Sequence, residues 1–305
     1  MDAAEVQAHI DLVRMLSRKD GPLSAGSSTA TTRNPEWFQD GKYLTLERLK
    51  LHRSLLFEQA RLAADVGANH RAIILAGPPG AGKSSLVAAT LQDESDGYLV
   101  IDADAFKVAL LQEAIRDGSY EGFIKPREVI DLEGQGHRFF PLELSSLVHE
   151  ESSLLAQGLR TQAMESGSNM VIDTVLANAG SAQRLVRQLD DHGYDIRIID
   201  VEASMGISKA RVTKRWVQAY ELALETGEGF GGRWVPSEYI RGVFNADGKA
   251  VSAHIARMIA DSCPVVSRYQ LFKTTSSTTG PVLEADLSRT GTDGVLRTPQ
   301  KGEVP

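Results

Sequence analysis

One stretch constrains the chain more than any other: Gly77, Pro78, Pro79, Gly80, Ala81, Gly82, Lys83, Ser84 and Ser85. Gly77, Gly82, Lys83 and Ser84 complete the pattern G-x-x-x-x-G-K-[ST]. An apolar run of strand length, 72–76, precedes it, and Leu86, Val87 and Leu91 recur at helical spacing behind it. An ordinary Gly-rich turn is the alternative, but strand, glycine loop and helix in that order are the setting the pattern needs. Glycines let consecutive backbone N–H groups turn inward on a phosphate, and the helix starting near Lys83 adds its positive dipole end. The expectation is a nucleotide phosphate site, with Lys83 reaching the β- and γ-phosphates of ATP and the Ser84 hydroxyl holding Mg²⁺.

The rest of the chain is read around that loop. From residue 72 strands and helices alternate, the mark of a mostly parallel sheet covered by helices. Strands are expected at 72–76, 98–102, 169–173 and 195–201, with another near 265–272. Helices are expected at about 83–92, 104–116, 145–166, 181–191, 205–225 and 248–261. The fold class is therefore α/β, a three-layer P-loop NTPase/kinase fold with a mostly parallel central sheet flanked by helices. Residues 1–65 read as a helical extension, with helices near 1–16 and 45–64 and a Gly/Ser/Thr-rich mobile linker at 17–35 between them. Residues 66–288 read as the kinase domain, in which 269–274 returns through 281–285 as a hairpin. Residues 289–305 read as a disordered tail. The stretch 117–143 fits no period and is long for a connection, which suits a lid or substrate loop.

Composition removes several function classes. The 305 residues carry a net charge of −7, so no general basic field exists to attract nucleic acid or an anionic membrane. One cysteine, Cys263, excludes an internal disulfide, and no Cys/His cluster has zinc-ligand spacing. No signal-type apolar core or membrane-length run is present, so a cytoplasmic location is expected.

Further candidates lie at expected strand ends, where ligands of such sheets sit. Asp102 and Asp104 follow the second strand. One is suited to cap the next helix and one to accept the proton of an attacking hydroxyl, a role assigned to Asp104. Asp173 ends the third strand, placed to assist Mg²⁺, to orient a substrate together with Thr174, or only to form a turn. Glu150, Glu151 and Ser152 (or Ser153) interrupt an apolar helix face. They are either a solvated patch or acceptor-binding groups, and His149 beside them reads as structural. Arg211 and Arg215 share a helix face, and the glycine-rich loop 229–234 carries Arg233. These arginines are either surface charge or internal fingers on the transferring phosphoryl group.

Taken in order, the glycine loop, the D-x-D-x-F-K element ending at Lys107, the Glu/Ser helix, the strand 169–173, Arg215 and Arg233 resemble the zeta-toxin family. These are P-loop kinases, the toxin half of epsilon/zeta toxin–antitoxin pairs. The resemblance covers about residues 65–245. It implies phosphorylation of UDP-N-acetylglucosamine on the amino sugar's 3′-hydroxyl with ATP and Mg²⁺. It makes Lys83 and Ser84 the ATP and Mg²⁺ residues, Asp104 the base, Arg215 and Arg233 the phosphate clamp, and Asp173 a substrate-contacting acid. Asp102, Lys107, Glu150, Glu151, Ser152 and Thr174 join the acceptor site on the same reading. Two positions depart from the family: its Glu-Gly-Thr is Asp173, Thr174 and Val175 here, and Gln157 falls where sugar kinases place another acid. Related members phosphorylate the adenosine ribose of NAD on the same core, which keeps a dinucleotide acceptor open. A nucleotide-dependent switch without transfer would need the glycine loop alone. Residues 1–65 are either structural helices or an antitoxin-like cover fused in cis, and a separate antitoxin protein is the other partner implied.

Overall fold

The computed structural model describes residues 3–63, 65–91, 97–289 and 294–298. In chain order the elements are α1 (Ala3–Leu16), β1 (Phe38–Gln39), β2 (Tyr43–Leu44), α2 (Leu46–Leu62), β3 (Arg71–Ala76), α3 (Lys83–Leu91), β4 (Leu99–Ile101), α4 (Ala103–Asp117), α5 (Arg127–Glu133), α6 (His149–Glu165), β5 (Met170–Asp173), α7 (Ala179–Asp191), β6 (Asp195–Ala203), α8 (Met205–Thr226), α9 (Ser237–Gly242), α10 (Val251–Ser262), β7 (Val266–Thr274) and β8 (Val282–Ser288). Among the described residues no helix is long and apolar enough to cross a membrane. The chain divides into two compact units, Met1–Gln59 with Ala103–Gly158 and Val212–Tyr239, and Ala60–Asp102 with Leu159–Arg211 and Ile240–Pro305.

The second unit is built on a six-stranded sheet of order β4-β5-β3-β6-β7-β8, parallel except for β8. β3 lies between β5 and β6, and its residues Ala72 to Ala76 are all buried, as a strand covered on both faces demands. On one face Ile73, Leu75, Val171, Ile199 and Val201 pack with Ala81 and Val87. Amphipathic helices cover sheet surface. α7 buries Ala182, Leu185, Val186 and Leu189 at helical spacing, and the Asn178 side chain caps it by accepting from the Ser181 N–H at 2.9 Å. Because β3, β4 and β5 run parallel, the glycine loop, Asp102 and Asp173 all leave the same edge of the sheet. Leu75 is in register with Asp173. The expected hairpin is present, β7 pairing antiparallel with β8. Of the tail expected from 289, residues 290–293 and 299–305 lie outside the described residues, and Arg297 bridges back to Ser288.

The first unit gathers the amino-terminal residues around α4, the start of α6 and most of α8. The linker expected at 17–35 is instead packed through a series of turns: Leu23, Ala30, Thr31, Thr32 and Asn34 are buried, and the Trp234 indole N–H donates to Ser17 Oγ at 2.7 Å. Its Gly/Ser/Thr content serves tight turns and buried hydroxyls here, not flexibility. The aperiodic stretch 117–143 holds a π-helical turn at Tyr120–Ile124, α5, and a 3₁₀ segment at Pro141–Val148. Lys125 ties it together, with Nζ 2.6 Å from Glu121 and 3.0 Å from Glu133.

Both units bury ionisable groups. In the first, Glu151 is 0 % exposed and takes Arg48 Nε at 2.5 Å, Arg48 Nη2 at 2.7 Å and His52 Nε2 at 2.8 Å. Burial raises the Glu151 pKa, but His52 and Arg48 outweigh it and hold the carboxyl below its usual range. Arg48→Met strands that charge, and the expected cost is about 3–5 kcal/mol in urea unfolding; a loss under about 1 kcal/mol contradicts the clamp. In the second unit Asp200 sits mid-strand in β6, fully buried, bonded through Oδ2 to the Tyr269 hydroxyl at 3.0 Å. Burial pushes its pKa up to about 7, so the folded state binds the proton better than the unfolded chain does. Its contribution is complete below the unfolded pKa near 4 and is lost as pH rises through about 7. Asp200→Asn is expected to raise the melting temperature by several degrees at pH 8 and hardly at all at pH 4, which thermal melts at the two pH values check.

Candidate active site

The cradle is assembled within the second unit. Gly77, Gly80 and Gly82 have φ of +136°, +74° and +107°, a region L side chains avoid. At Gly77 a Cβ would lie 2.3 Å from the Val201 carbonyl oxygen, so the loop leaves β3 hard against β6 and only glycine fits. α3 begins at Lys83, directing its first turn, with Ser84 and Ser85 exposed on it, toward the loop. Lys83 Nζ donates to the Gly77 carbonyl at 2.7 Å and stands 3.5 Å from Asp173 Oδ1. Thr174 uses its hydroxyl to accept from the Leu176 N–H at 3.2 Å, holding Leu176 at φ +56° just past β5.

This arrangement fits a nucleotide phosphate: glycines with positive φ, a helix amino terminus and a lysine converge on one turn. Among the described residues no group of three or more His, Cys, Asp or Glu side chains gathers as a metal site. Ser84, in the first turn of α3, and Asp173, at the end of β5, are oxygen-bearing side chains beside the loop.

A second cluster forms within the first unit, around Asp104 in the first turn of α4. Arg233 Nη1 lies 3.0 Å from Oδ1 and 2.9 Å from Oδ2, and Lys107 Nζ lies 3.0 Å from Oδ1. Burial raises the Asp104 pKa, but Arg233, Lys107 and, through its field, Arg215 hold the carboxyl below its usual range. His149 borders the same group. Its burial, with Lys107 next in effect, lowers its pKa, so it stays neutral. The glycines ahead of Arg233 have a steric reason. A Cβ on Gly231 would come within 2.4 Å of Phe140 Cβ, and one on Gly232 within 2.4 Å of the Trp216 carbonyl oxygen. Trp216 is buried on α8 one residue after Arg215, so the loop's close approach sets where Arg233 emerges.

The expected residues thus fall into three groups. Gly77 to Ser85, Asp173 and Thr174 form the cradle and its neighbour, with Asp102 immediately after β4. Asp104, Lys107, Arg215 and Arg233 form the charged cluster. Glu151 and Ser152 are buried away from an acceptor, whereas Glu150 is exposed with one oxygen engaged. Glu151 is the counter-ion of Arg48 and His52, Ser152 is buried and donates to the His149 carbonyl at 2.8 Å, and Glu150 accepts from the Thr32 hydroxyl at 2.6 Å. Helical pattern alone cannot show the partners of Glu150 and Glu151, because Thr32, Arg48 and His52 lie about a hundred residues earlier in the chain. Reading the sequence also missed three groups that bind the cradle from its own unit, Ser208, Arg211 and Thr274. The signal for Arg211 was present in its four-residue spacing from Arg215, but the pair was read as either surface charge or fingers on the phosphoryl group, not as a brace of the loop.

Comparison with known proteins places this geometry. The family described as Zeta toxin matches residues 58–116 and 137–275, omitting most of the aperiodic insertion. The complex of AvrRxo1-ORF1 with AvrRxo1-ORF2, solved with sulphate ions, is 19% identical over 84% of this chain and 70% of that one, with a TM-score of 0.54. The same pair with ATP gives 18% identity, the same coverages and a TM-score of 0.53. The PezAT chromosomal toxin–antitoxin system of Streptococcus pneumoniae gives 16% identity, 80% and 83% coverage, and a TM-score of 0.51. At these identities the likeness is one of fold, and no curated protein sequence matches the chain. With the family match spanning more than half of its residues, the chain belongs to the zeta toxin family, whose members are phosphotransferases.

Proposed function

We propose that the chain is an ATP-dependent kinase that phosphorylates a hydroxyl of a small-molecule acceptor. The observation carrying this reading is the Asp104 carboxylate, kept charged among Arg233, Lys107 and Arg215. A protein that only holds a nucleotide has no use for a carboxylate base surrounded by three cations. In the reaction Asp104 accepts the acceptor's hydroxyl proton, the freed oxygen bonds to the γ-phosphorus, and the β–γ bridging bond breaks to release ADP. Arginine has five N–H donors, so Arg233 can keep one on Asp104 and offer others to a phosphoryl oxygen. Arg215 and Lys83 add positive charge where the transferring oxygens become more negative. When bound by Ser84 and Asp173, Mg²⁺ supplies neutralisation of the β- and γ-phosphate oxygens. The family match runs through the glycine loop and through Asp104, Lys107, Arg215 and Arg233 alike, which supports assigning the two clusters to one reaction.

The family resemblance points to UDP-N-acetylglucosamine as acceptor, with Lys107, Asp102, Asp173 and Thr174 as the contacts left to it. The sealing of Glu151 removes an acid expected for the sugar, which favours an NAD ribose hydroxyl as the second reading. The kinase domain on this reading is 66–288, with 1–65 as an extension. Its Arg48 and His52, by binding Glu151, support a structural role for it. A protein partner of antitoxin type belongs to the proposal as well, supported by the toxin–antitoxin assignment of the PezAT relative. Cytoplasmic action, where ATP and either acceptor are found, completes it.

Incubation with ATP, Mg²⁺ and a panel containing UDP-N-acetylglucosamine and NAD is expected to add about 80 Da, one phosphoryl group, to one acceptor by mass spectrometry. Asp104→Asn is expected to cut turnover about 10²–10⁴-fold while ATP still binds. ATP bound with every acceptor unmodified would instead favour a switch. Gly232→Ala tests the placement of Arg233: the Trp216 contact must give way, and turnover is expected to fall about 10²-fold with ATP affinity retained. Wild-type turnover in that variant contradicts the role given to Arg233.

A further inference from the structure

A phosphate cradle works only if its N–H groups face one way, and in a trans peptide unit that orientation is set by where the carbonyl points. The C=O of one residue and the N–H of the next are antiparallel. Three consecutive carbonyls of the glycine loop are held by side chains. Ser208 Oγ donates to the Pro79 carbonyl at 2.6 Å, Arg211 Nη1 to those of Gly80 and Ala81 at 3.3 and 3.4 Å, and Thr274 Oγ1 to that of Ala81 at 2.7 Å. The N–H groups of Gly80 and Gly82 consequently point away from these anchors. Ser208 is fully buried and Thr274 nearly so.

Arg211 does more than donate. Its other nitrogen, Nη2, bonds the carbonyls of Ser276, at 3.0 Å, and Thr279, both in the turn between β7 and β8. The same turn brings Pro281 against the loop: a Cβ on Gly82 would meet Pro281 Cδ at 3.2 Å and Arg211 Nη1 at 3.4 Å. One guanidinium thus braces the cradle against the hairpin. Among the described residues its hydrogen-bond partners are backbone carbonyls, each of which accepts without neutralising its positive charge. Placed against the loop, that charge polarises the peptide units toward more positive N–H groups and favours an anion in the cradle.

We infer that Arg211 is a positioning residue for the nucleotide: with Ser208 and Thr274 it fixes the carbonyl side of the glycine loop and charges the cradle from behind, through a brace to the β7–β8 turn. This role is separate from that of Arg215 four residues on, and it rests on the nucleotide-binding part of the kinase reading. It assigns function to the hairpin turn 275–281, which otherwise reads as a plain connection.

The test is ADP affinity by isothermal titration calorimetry on the full chain, with melting temperature measured without nucleotide as control. Arg211→Gln keeps a donor and loses the charge and the fork; the expected result is ADP binding about tenfold weaker with a nucleotide-free melting temperature within about 2 °C of wild type. Arg211→Lys restores the charge and is expected to recover part of that loss. In steady state, KM for ATP rises by more than kcat falls. ADP affinity within twofold of wild type in Arg211→Gln overturns the inference. Should Arg211→Gln fail to fold, Thr274→Val decides, with affinity about threefold weaker expected and unchanged affinity overturning the brace. Wild-type protein that binds no ADP would instead sink the kinase reading itself.

Discussion

The interaction on which the account rests is the pairing of Asp104 with Arg233 and Lys107. A half-buried carboxylate alone would drift toward its neutral form, and a neutral acid accepts no proton. Two close cations and the field of Arg215 reverse that tendency. Much of the first unit can be read as support for this pairing. Trp216 and Phe140 form the surface on which Gly231 and Gly232 must lie flat for Arg233 to arrive. His9 stacks on Tyr220 with ring centroids 4.5 Å apart and lies 2.8 Å from Glu143, joining α1 to the 3₁₀ segment below the loop. Amino-terminal residues thus reach the supports of the charged cluster without touching a reactant.

Buried acids divide into those given cations and those left without. Glu151 has a bidentate arginine and a histidine and remains charged. Asp200 has one tyrosine hydroxyl, and its Oδ1 lacks a partner among the described residues, so burial pushes its pKa up to about 7. The difference is chemical and local: carboxylates in fully buried places follow the donors that face them, not their distance from the surface. The same rule separates Glu151, once read as an acceptor contact, from Asp104. Both are paired with arginine, but the Glu151 side chain is sealed while that of Asp104 stays partly exposed.

What the sequence disclosed followed from local physics. The sheet and its helices were legible because apolar runs of strand length alternate with helical spacing, and each expected strand lies within two residues of the observed one. The cradle was legible because its glycines answer to backbone geometry, and Asp104 because strand ends are where ligands of such sheets sit. Contacts between distant segments were not. Arg48 and Glu151 lie 103 residues apart, and Thr274 reaches Ala81 across 193; no periodicity encodes either pair. The short helix α9 and the turn at Tyr120–Ile124 carry too few residues to establish a period. The segment 17–35 misled because glycine, serine and threonine suit tight buried turns as well as loose linkers.

A titration of the Asp104 carboxyl carbon, followed by NMR in ¹³C-labelled protein, tests the central claim most directly. The account predicts that Asp104 titrates below the ordinary aspartate range in the wild type and moves upward in Arg233→Gln, because the charge of that arginine helps hold the carboxyl down. An Asp104 that titrates at or above the ordinary value, and does not respond to loss of Arg233, would contradict the claim that this cluster keeps a charged base ready for transfer.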